Sequence, residues 1–588
     1  MGGSRISAAN DSSLIIRNGL VFDGSGKPPV TADIRVDGGL ITEVGNVSGI
    51  ADEQIDASGL MVTPGFVDIH THYDGQVTWS QQVSSSSQLG VTTAVMGNCG
   101  VGLAPCAPEN RRSLVTLMEG IEDIPGVVLD EGLPWNWQSF PQYLDALASR
   151  HYDIDIAAQI GHAPLRIDVM GDRARAYEPA TWQDCQRMAA VVKEAVKAGA
   201  LGFSTSRTLI HKGSDGQHTP SLGAQERELL AIAGALGEVD QGVIQLITDF
   251  EDVPGEFDLM KRLCEHSGRP LSFTLLQHEH LPDRWREVMR LLHGSTAQGL
   301  PMKAQVGARP VALIFGLGLS MCPFSGLAAY DAIKDLPVSE RLARMREPAT
   351  RAMILSQTQD DLMYRRRVAN FENIYVLGDP PDYEPRPEDS LASMAARQDK
   401  APNALAYDLL TEGEGEALLY RPLYNYADQS LDVLREMLVD TDSVPGLSDG
   451  GAHYGYICDA SFPLYLLTHW GRDRTRGKRI ALEQLVKSQT TDAAATVGLN
   501  DRGLIAPGYK ADINILDFDK LRLRKPRIVN DLPAGGRRLA QSATGIVATL
   551  VSGVLTYREG EATGCMPGRL VRGGQQAARA HQGRARRV

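Results

Sequence analysis

Cysteine is scarce in this chain of 588 residues: there are seven, an odd number spread from Cys99 to Cys565 without paired spacing. Such a set does not read as a disulfide framework, and a reducing compartment is the simpler inference. Long apolar runs are missing as well. No window approaches the ~20 apolar residues that a membrane-spanning helix requires, and the first residues, Met1-Gly2-Gly3-Ser4-Arg5, lack the apolar stretch of a secretory signal. The protein is therefore expected in the cytoplasm, without a membrane partner. Positive charge is in deficit, with 59 Lys and Arg against 72 Asp and Glu and a net charge of −13, which argues against nucleic acid as a partner. The exception is residues 561–588, where Arg569, Arg572, Arg579, Arg584, Arg586 and Arg587 lie among Gly, Gln and Ala. That basic tail reads as solvated chain or as a strand wrapping a neighbour.

What is present is the composition of a globular protein with a full core, 43% hydrophobic and 22% charged. β-rich segments open the chain (14–24 and 32–41) and close it (511–517 and 546–555), each broken by glycine turns. Between them, short apolar runs alternate with helical patterns such as 181–198 and 223–236, the rhythm of a parallel α/β fold. Eight candidate strands end near His72, Asn98, His162, Ser204, Thr248, Leu276, Val306 and Asp449, which predicts a TIM-like (β/α)8 barrel. No Gly-x-Gly-x-x-Gly follows a first strand, so a doubly wound dinucleotide fold is disfavoured. The stretch 324–426 is too long for one βα connection. It holds helical patterns at 339–347 and 353–360 and is read as an insertion, either a lid over the C-terminal face or a contact of a homo-oligomer.

The chemistry-bearing residues begin in Pro64-Gly65-Phe66-Val67-Asp68-Ile69-His70-Thr71-His72-Tyr73-Asp74. Alternate side chains of a strand share a face, so His70 and His72 can present two imidazoles to one metal ion, at the strand end where barrels place their chemistry. Far downstream come Ser448-Asp449-Gly450 and Asp501-Arg502-Gly503-Leu504-Ile505-Ala506-Pro507-Gly508-Tyr509-Lys510-Ala511-Asp512. Together these resemble the amidohydrolase superfamily of metal-dependent hydrolases over nearly the whole chain. A narrower similarity lies in Gly97-Asn98-Cys99-Gly100-Val101-Gly102-Leu103-Ala104-Pro105, with Gly161-His162, Leu165-Arg166 and the run 199–205. It resembles the signature of the N-acyl-D-amino-acid deacylases, or D-aminoacylases. That resemblance implies that Cys99 supplies a metal ligand which related enzymes take from a carboxylated lysine. Neither run where such a lysine could sit, 154–160 or 201–204, contains one. The resemblance also implies that the two β-rich ends meet in a small β-sandwich, built from residues 1–62 and 505–560, beside a barrel of residues 63–504.

On this reading His70, His72, Cys99 and Asp449 hold metal, and Asp449, ending the last strand, is the general base that takes a proton from the attacking water. His278 and His453 are candidates for metal or substrate. Arg166 and Arg309 are candidates for a substrate carboxylate, which arginine binds bidentately. The deacylases also take histidines from strands five and six. Here the first, 242–251, has none, and the second offers only His278 and His280, late in the run. One or two divalent ions are expected, with zinc the preferred identity. The expected activity is metal-dependent hydrolysis of the amide bond of N-acyl-D-amino acids or related small N-acyl compounds. Two other readings are a cyclic-amide hydrolase of the dihydropyrimidinase kind and a degenerate barrel that only binds. Cysteine in place of the lysine argues against the first, and retention of four ligand-type residues argues against the second.

Overall fold

The computed structural model describes residues 13–576. Its centre is a set of short parallel strands: β1 (Phe66–Asp68), β2 (Val91–Met96), β3 (Asp155–Ala158), β4 (Ile160–Gly161), β5 (Gly202–Arg207), β6 (Val243–Thr248), β7 (Leu271–Thr274), β8 (Met302–Val306) and β9 (Ser443–Pro445). Strands β1 to β3 pair in order, and β4 to β9 form a second run in order. Only Gln159 separates β3 from β4, and its N–H donates to Met96 O at 2.9 Å. At the far end, Thr71 bridges Gly450 in parallel. Asp449 N–H donates to His70 O at 3.2 Å and His72 N–H to Gly450 O at 2.8 Å. The segments beyond β1 and β9 are thus hydrogen-bonded neighbours. Strand interiors are largely buried and mostly apolar or small, as expected of a parallel sheet covered on both faces, with Gln245 and Gln305 as polar exceptions.

Most expected strand ends fall close to the observed ones, with two differences: β9 stops at Pro445, four residues before Asp449, and the first strand is also short. β1 stops at Asp68, so His70 and His72 flank Thr71 just past the strand rather than inside it. Helices α1 (Arg111–Ile121), α2 (Trp182–Ala198), α3 (Glu226–Val239), α4 (Val253–Ser267) and α5 (Arg284–Thr296) lie between strands. α2 opens with a reciprocal cap between Thr181 and Asp184 and stops at Gly199, whose φ of +116° a side chain would resist. α3 starts later than its pattern suggested, because Pro220–Gly223 forms a 3-10 turn first.

Residues of the expected insertion pack around an apolar cluster of their own, including Phe324, Leu342, Ile354 and Tyr407. Its neck is antiparallel: Ala312–Phe315 pairs with Leu419–Pro422, which also pairs with Tyr375–Val376. The two chain ends meet in one nine-stranded sheet, joined where Ile513–Leu516 runs antiparallel to Met61–Pro64. Leu14, Ile16, Ile34, Val36, Ile513, Ile515 and Leu550 form its separate core.

In the described part of the tail, residues 561–565 are exposed and residues 568–575 lie along the barrel strands and helices. Gly568 and Leu570 make bridges with Tyr152 and Ile156, and Arg572 pairs with Asp145 at 2.6 Å. Arg579, Arg584, Arg586 and Arg587 lie outside the described residues, as does Met1-Gly2-Gly3-Ser4-Arg5. All seven cysteines are free. No helix among the described residues is long and apolar enough to cross a membrane.

Candidate metal centre

Three strand ends converge on one buried point, and local sequence explains how. A Cβ at Gly97 (φ +78°) would lie 2.1 Å from Gln159 O, so only glycine lets β2 pass this close to the β3–β4 junction. Asn98 then ties the strands together. Its Nδ2 donates to Val95 O at 2.9 Å and Thr71 O at 3.2 Å, while its Oδ1 accepts Gln159 Nε2 at 3.0 Å. Cys99 follows at φ +54°, which turns its thiol inward, and its N–H donates to Gln245 Oε1 at 2.8 Å. Asp449 (φ +47°) and His453 (φ +53°) are left-handed as well. Such conformations cost about 1–3 kcal/mol each and persist where the surroundings impose them, often at functional sites.

His70 Nε2 lies 3.2 Å from Cys99 Sγ and 3.5 Å from Asp449 Oδ1, and His72 Nε2 lies 3.6 Å from the same Oδ1. Ligand atoms of His70, His72 and Cys99 all fall within 4.8 Å of one another. Bonds of 2.0–2.3 Å at tetrahedral angles place ligand atoms about 3.3–3.7 Å apart, so these spacings match the edges of a zinc site. The opposite nitrogen of His70, Nδ1, is 2.6 Å from Gln305 Oε1, whose amide is fixed by donating to Ser272 Oγ at 2.9 Å. His70 therefore carries its proton on Nδ1 and turns the Nε2 lone pair into the site.

The electrostatics agree with this donor set. Burial alone would lower the His70 pKa, but the Cys99 sulfur and Asp449 raise it to about 9. His72 is held well above its usual range against the same burial, chiefly by Glu122 and Asp449. Burial pushes the Cys99 thiol up, yet the two imidazoles bring it below its ordinary value. Asp449 is likewise depressed despite burial, by His72 and His70. Two anionic groups and two imidazoles want positive charge between them, and a dication supplies it in place of the imidazole protons. Mixed imidazole, thiolate and carboxylate ligation suits zinc.

The amidohydrolase family profile matches residues 53–557. This chain belongs to the amidohydrolase family. It is 26% identical to the D-aminoacylase of Alcaligenes xylosoxydans xylosoxydans over 562 residues, covering 95% of this chain and 97% of that one. Among solved structures, a D-aminoacylase studied for its binuclear metal centre superimposes with a TM-score of 0.62 at 24% identity, covering 96% of this chain and 99% of that one. The N-acyl-D-glutamate deacylase of Bordetella bronchiseptica, bound to zinc and a phosphonate inhibitor, gives 0.63 at 23% identity over 96% of this chain and 100% of that one. These likenesses show that the amidohydrolase fold is shared.

In this amidohydrolase the other sequence candidates sit elsewhere. His453 borders the centre, with Nε2 3.9 Å from Asp449 Oδ2. His278 takes no part in the cluster; its ring packs edge-on to Tyr424 at 5.1 Å. Arg166 is fully buried and spent on Glu228, which also accepts His162 Nε2 at 2.8 Å. Arg309 is 1% exposed, pairs with Asp459 at 3.0 Å and lies 3.6 Å from the Tyr383 ring centre. Each arginine is enclosed with a carboxylate of its own and keeps a buried Nε without a hydrogen-bond partner.

Three residues near the centre escaped the sequence reading: Gln305, His211 and Glu122. His211 accepts or donates at 2.9 Å with Ser206 Oγ. Its pKa is pushed down to about 3 by burial and by His453 and His72. Glu122 lies 3.3 Å from His72 Nδ1. The one sequence signal for it is a pair of acids, Glu122-Asp123, directly after an amphipathic helix.

Proposed function

We propose that this protein is a metal-dependent hydrolase that cleaves the amide bond of N-acyl-D-amino acids or related N-acyl compounds, with His70, His72, Cys99 and Asp449 as its metal ligands. The observation that carries this is the buried convergence of two imidazoles, a thiol and a carboxylate at 3.2–3.6 Å. The relatives named for D-aminoacylase activity, which match end to end, supply the substrate class. In this reading the parallel strands close as a (β/α)8 barrel, with Gly450 against Thr71 as the seam. The terminal sheet is folded into a β-sandwich of residues 1–62 and 505–560, and the enzyme works in the cytoplasm.

The ligand set serves one ion. Inward-facing Gln245, Ser272 and Gln305 are neutral and tied to Cys99, to one another and to His70, so they offer no second cluster of ionic donors. Bound among the four ligands, a divalent ion supplies an acidified water and a polarised scissile carbonyl. Asp449 does the proton work. Its Oδ1 faces the two imidazoles, whereas Oδ2 turns towards His453 and is free to take the proton of the attacking water and return it to the departing nitrogen. Amines leave amides poorly without that protonation. The loop after Asp449 is held by the insertion neck, since Ile314 N–H donates to Tyr456 O at 2.7 Å and Ser320 N–H to Gly455 O at 3.1 Å.

The test is a panel of N-acetyl amino acids in both configurations, assayed with the zinc-loaded protein. Faster turnover of the D-isomers is expected. Equal rates, or a preference for L, would overturn the deacylase assignment.

A further inference from the structure

Glu122 sits in a place that ordinary folding would avoid. It caps the C-terminal end of α1, where the helix dipole disfavours an acid. It is 1% exposed, and neither carboxylate oxygen has a hydrogen-bond partner. A buried anion left so costs several kcal/mol unless an opposite charge or a donor faces it. Two groups do face it. His72 Nδ1, itself buried and without a hydrogen bond, is 3.3 Å from Oε1, and His453 Nε2 is 3.8 Å from Oε2. The backbone reinforces the second contact, since His453 N–H donates to Glu122 O. The next residue, Asp123, accepts Gly455 N–H at 2.7 Å and Ser320 Oγ at 3.0 Å, so the end of α1 is clamped to the loop that follows Asp449.

His70 shows what such a partner does. Gln305 accepts its Nδ1 proton and leaves Nε2 for the ion. The geometry points to Glu122 as the equivalent group for His72: a positioning residue that holds the proton on Nδ1, aims Nε2 at the ion shared with Asp449, and steadies His453 beside Asp449 with its other oxygen. It is stronger than Gln305 in one respect. An ionised carboxylate makes imidazole a more basic ligand than an amide does, so one histidine of the pair is tuned by charge and the other by a neutral dipole. This inference rests on the metal-centre reading above.

The test measures zinc affinity of the full chain, without substrate, by competition with a chelator for wild type, Glu122→Gln and Glu122→Ala. Cobalt-substituted spectra and thermal unfolding of the metal-free proteins are recorded beside it. Glu122→Gln is expected to weaken zinc binding by about 10–100-fold, to keep the cobalt spectrum of wild type because the four ligands are unchanged, and to leave the metal-free protein at least as stable. Affinity within twofold of wild type for both variants would overturn the proposal. So would a changed cobalt spectrum in Glu122→Gln, which would make Glu122 a ligand itself. If Glu122→Ala fails to fold, the isosteric Gln variant alone decides. Wild-type protein that binds no zinc would sink the metal centre as a whole, an outcome distinct from a null effect at Glu122.

Discussion

Ser448 donates its hydroxyl to the buried carboxylate of Asp68, and this bond joins the residue that ends β1 to the residue before Asp449. Burial raises the Asp68 pKa to about 6 in spite of that hydroxyl, so the acid depends on its few donors. Ser448→Ala removes one of them. A loss of about 1–3 kcal/mol in unfolding free energy is expected, the penalty for leaving a buried acceptor unsatisfied. Activity should fall with it, because the same bond sets where Asp449 stands. Denaturant unfolding and a rate assay on the same preparation check both. Unchanged stability would show that the bond is incidental.

In the proposed centre, Cys99 would be the ligand that distinguishes it from one built on oxygen and nitrogen alone. With cobalt bound, the wild-type protein should show a sulfur-to-metal charge-transfer band, and Cys99→Ser should lose it. Zinc affinity should drop by more than about 100-fold, beyond the 10–100-fold typical of residues that only support a ligand. Retention of the band in the serine variant would remove Cys99 from the ligand set.

Much of this architecture was legible because it repeats. The βα rhythm, the eight strand ends and the β-rich termini follow from apolar periodicity, which depends on neighbours in sequence. His70 and His72 were legible for the same reason, being two residues apart beside an apolar strand. Partners that meet only in space were not. Glu122 closes a helix and His72 follows β1, and no local pattern connects them. For Arg166 and Arg309, residue type suggested a substrate carboxylate, and the carboxylates that pair with them, Glu228 on α3 and Asp459 after β9, were not legible because only the fold brings them in. The placement of Gly568 and Leu570 was not legible because the tail's Gly, Gln and Arg give no apolar period, whereas backbone bridges hold these two residues in place.

Asp449 has two oxygens with separate surroundings, and the amide of Asp449→Asn keeps the shape while losing the proton acceptor. One oxygen still faces His70 and His72, so metal content should survive in large part. The chemical step should slow by about two or more orders of magnitude, in line with removal of a general base. Single-turnover rates, read together with metal content, check this. Near wild-type turnover in a metal-loaded variant would place the base elsewhere, with His453 next in line.

Glu384 anchors the insertion to the rest of the molecule. Its carboxylate, 3% exposed as a residue, pairs with Arg474 at 2.9 Å and His469 at 3.0 Å and accepts Leu431 N–H at 3.0 Å. Burial raises its pKa, but the His469 and Arg474 hydrogen bonds outweigh that and bring it from 4.5 to about 2. A folded value below the unfolded one means that the stabilisation is fully present above pH ~4.5 and fades as pH falls towards 2. Glu384→Gln breaks a buried pair, which costs roughly 3–5 kcal/mol; the lower end is expected, since Arg474 keeps Asp432 at 2.8 Å. The stability gap between wild type and Glu384→Gln should therefore be wide at pH 7 and narrow steadily below pH ~4. Thermal unfolding across that range measures it, and a gap that stays constant with pH would show that Glu384 stabilises the insertion by packing and not by charge.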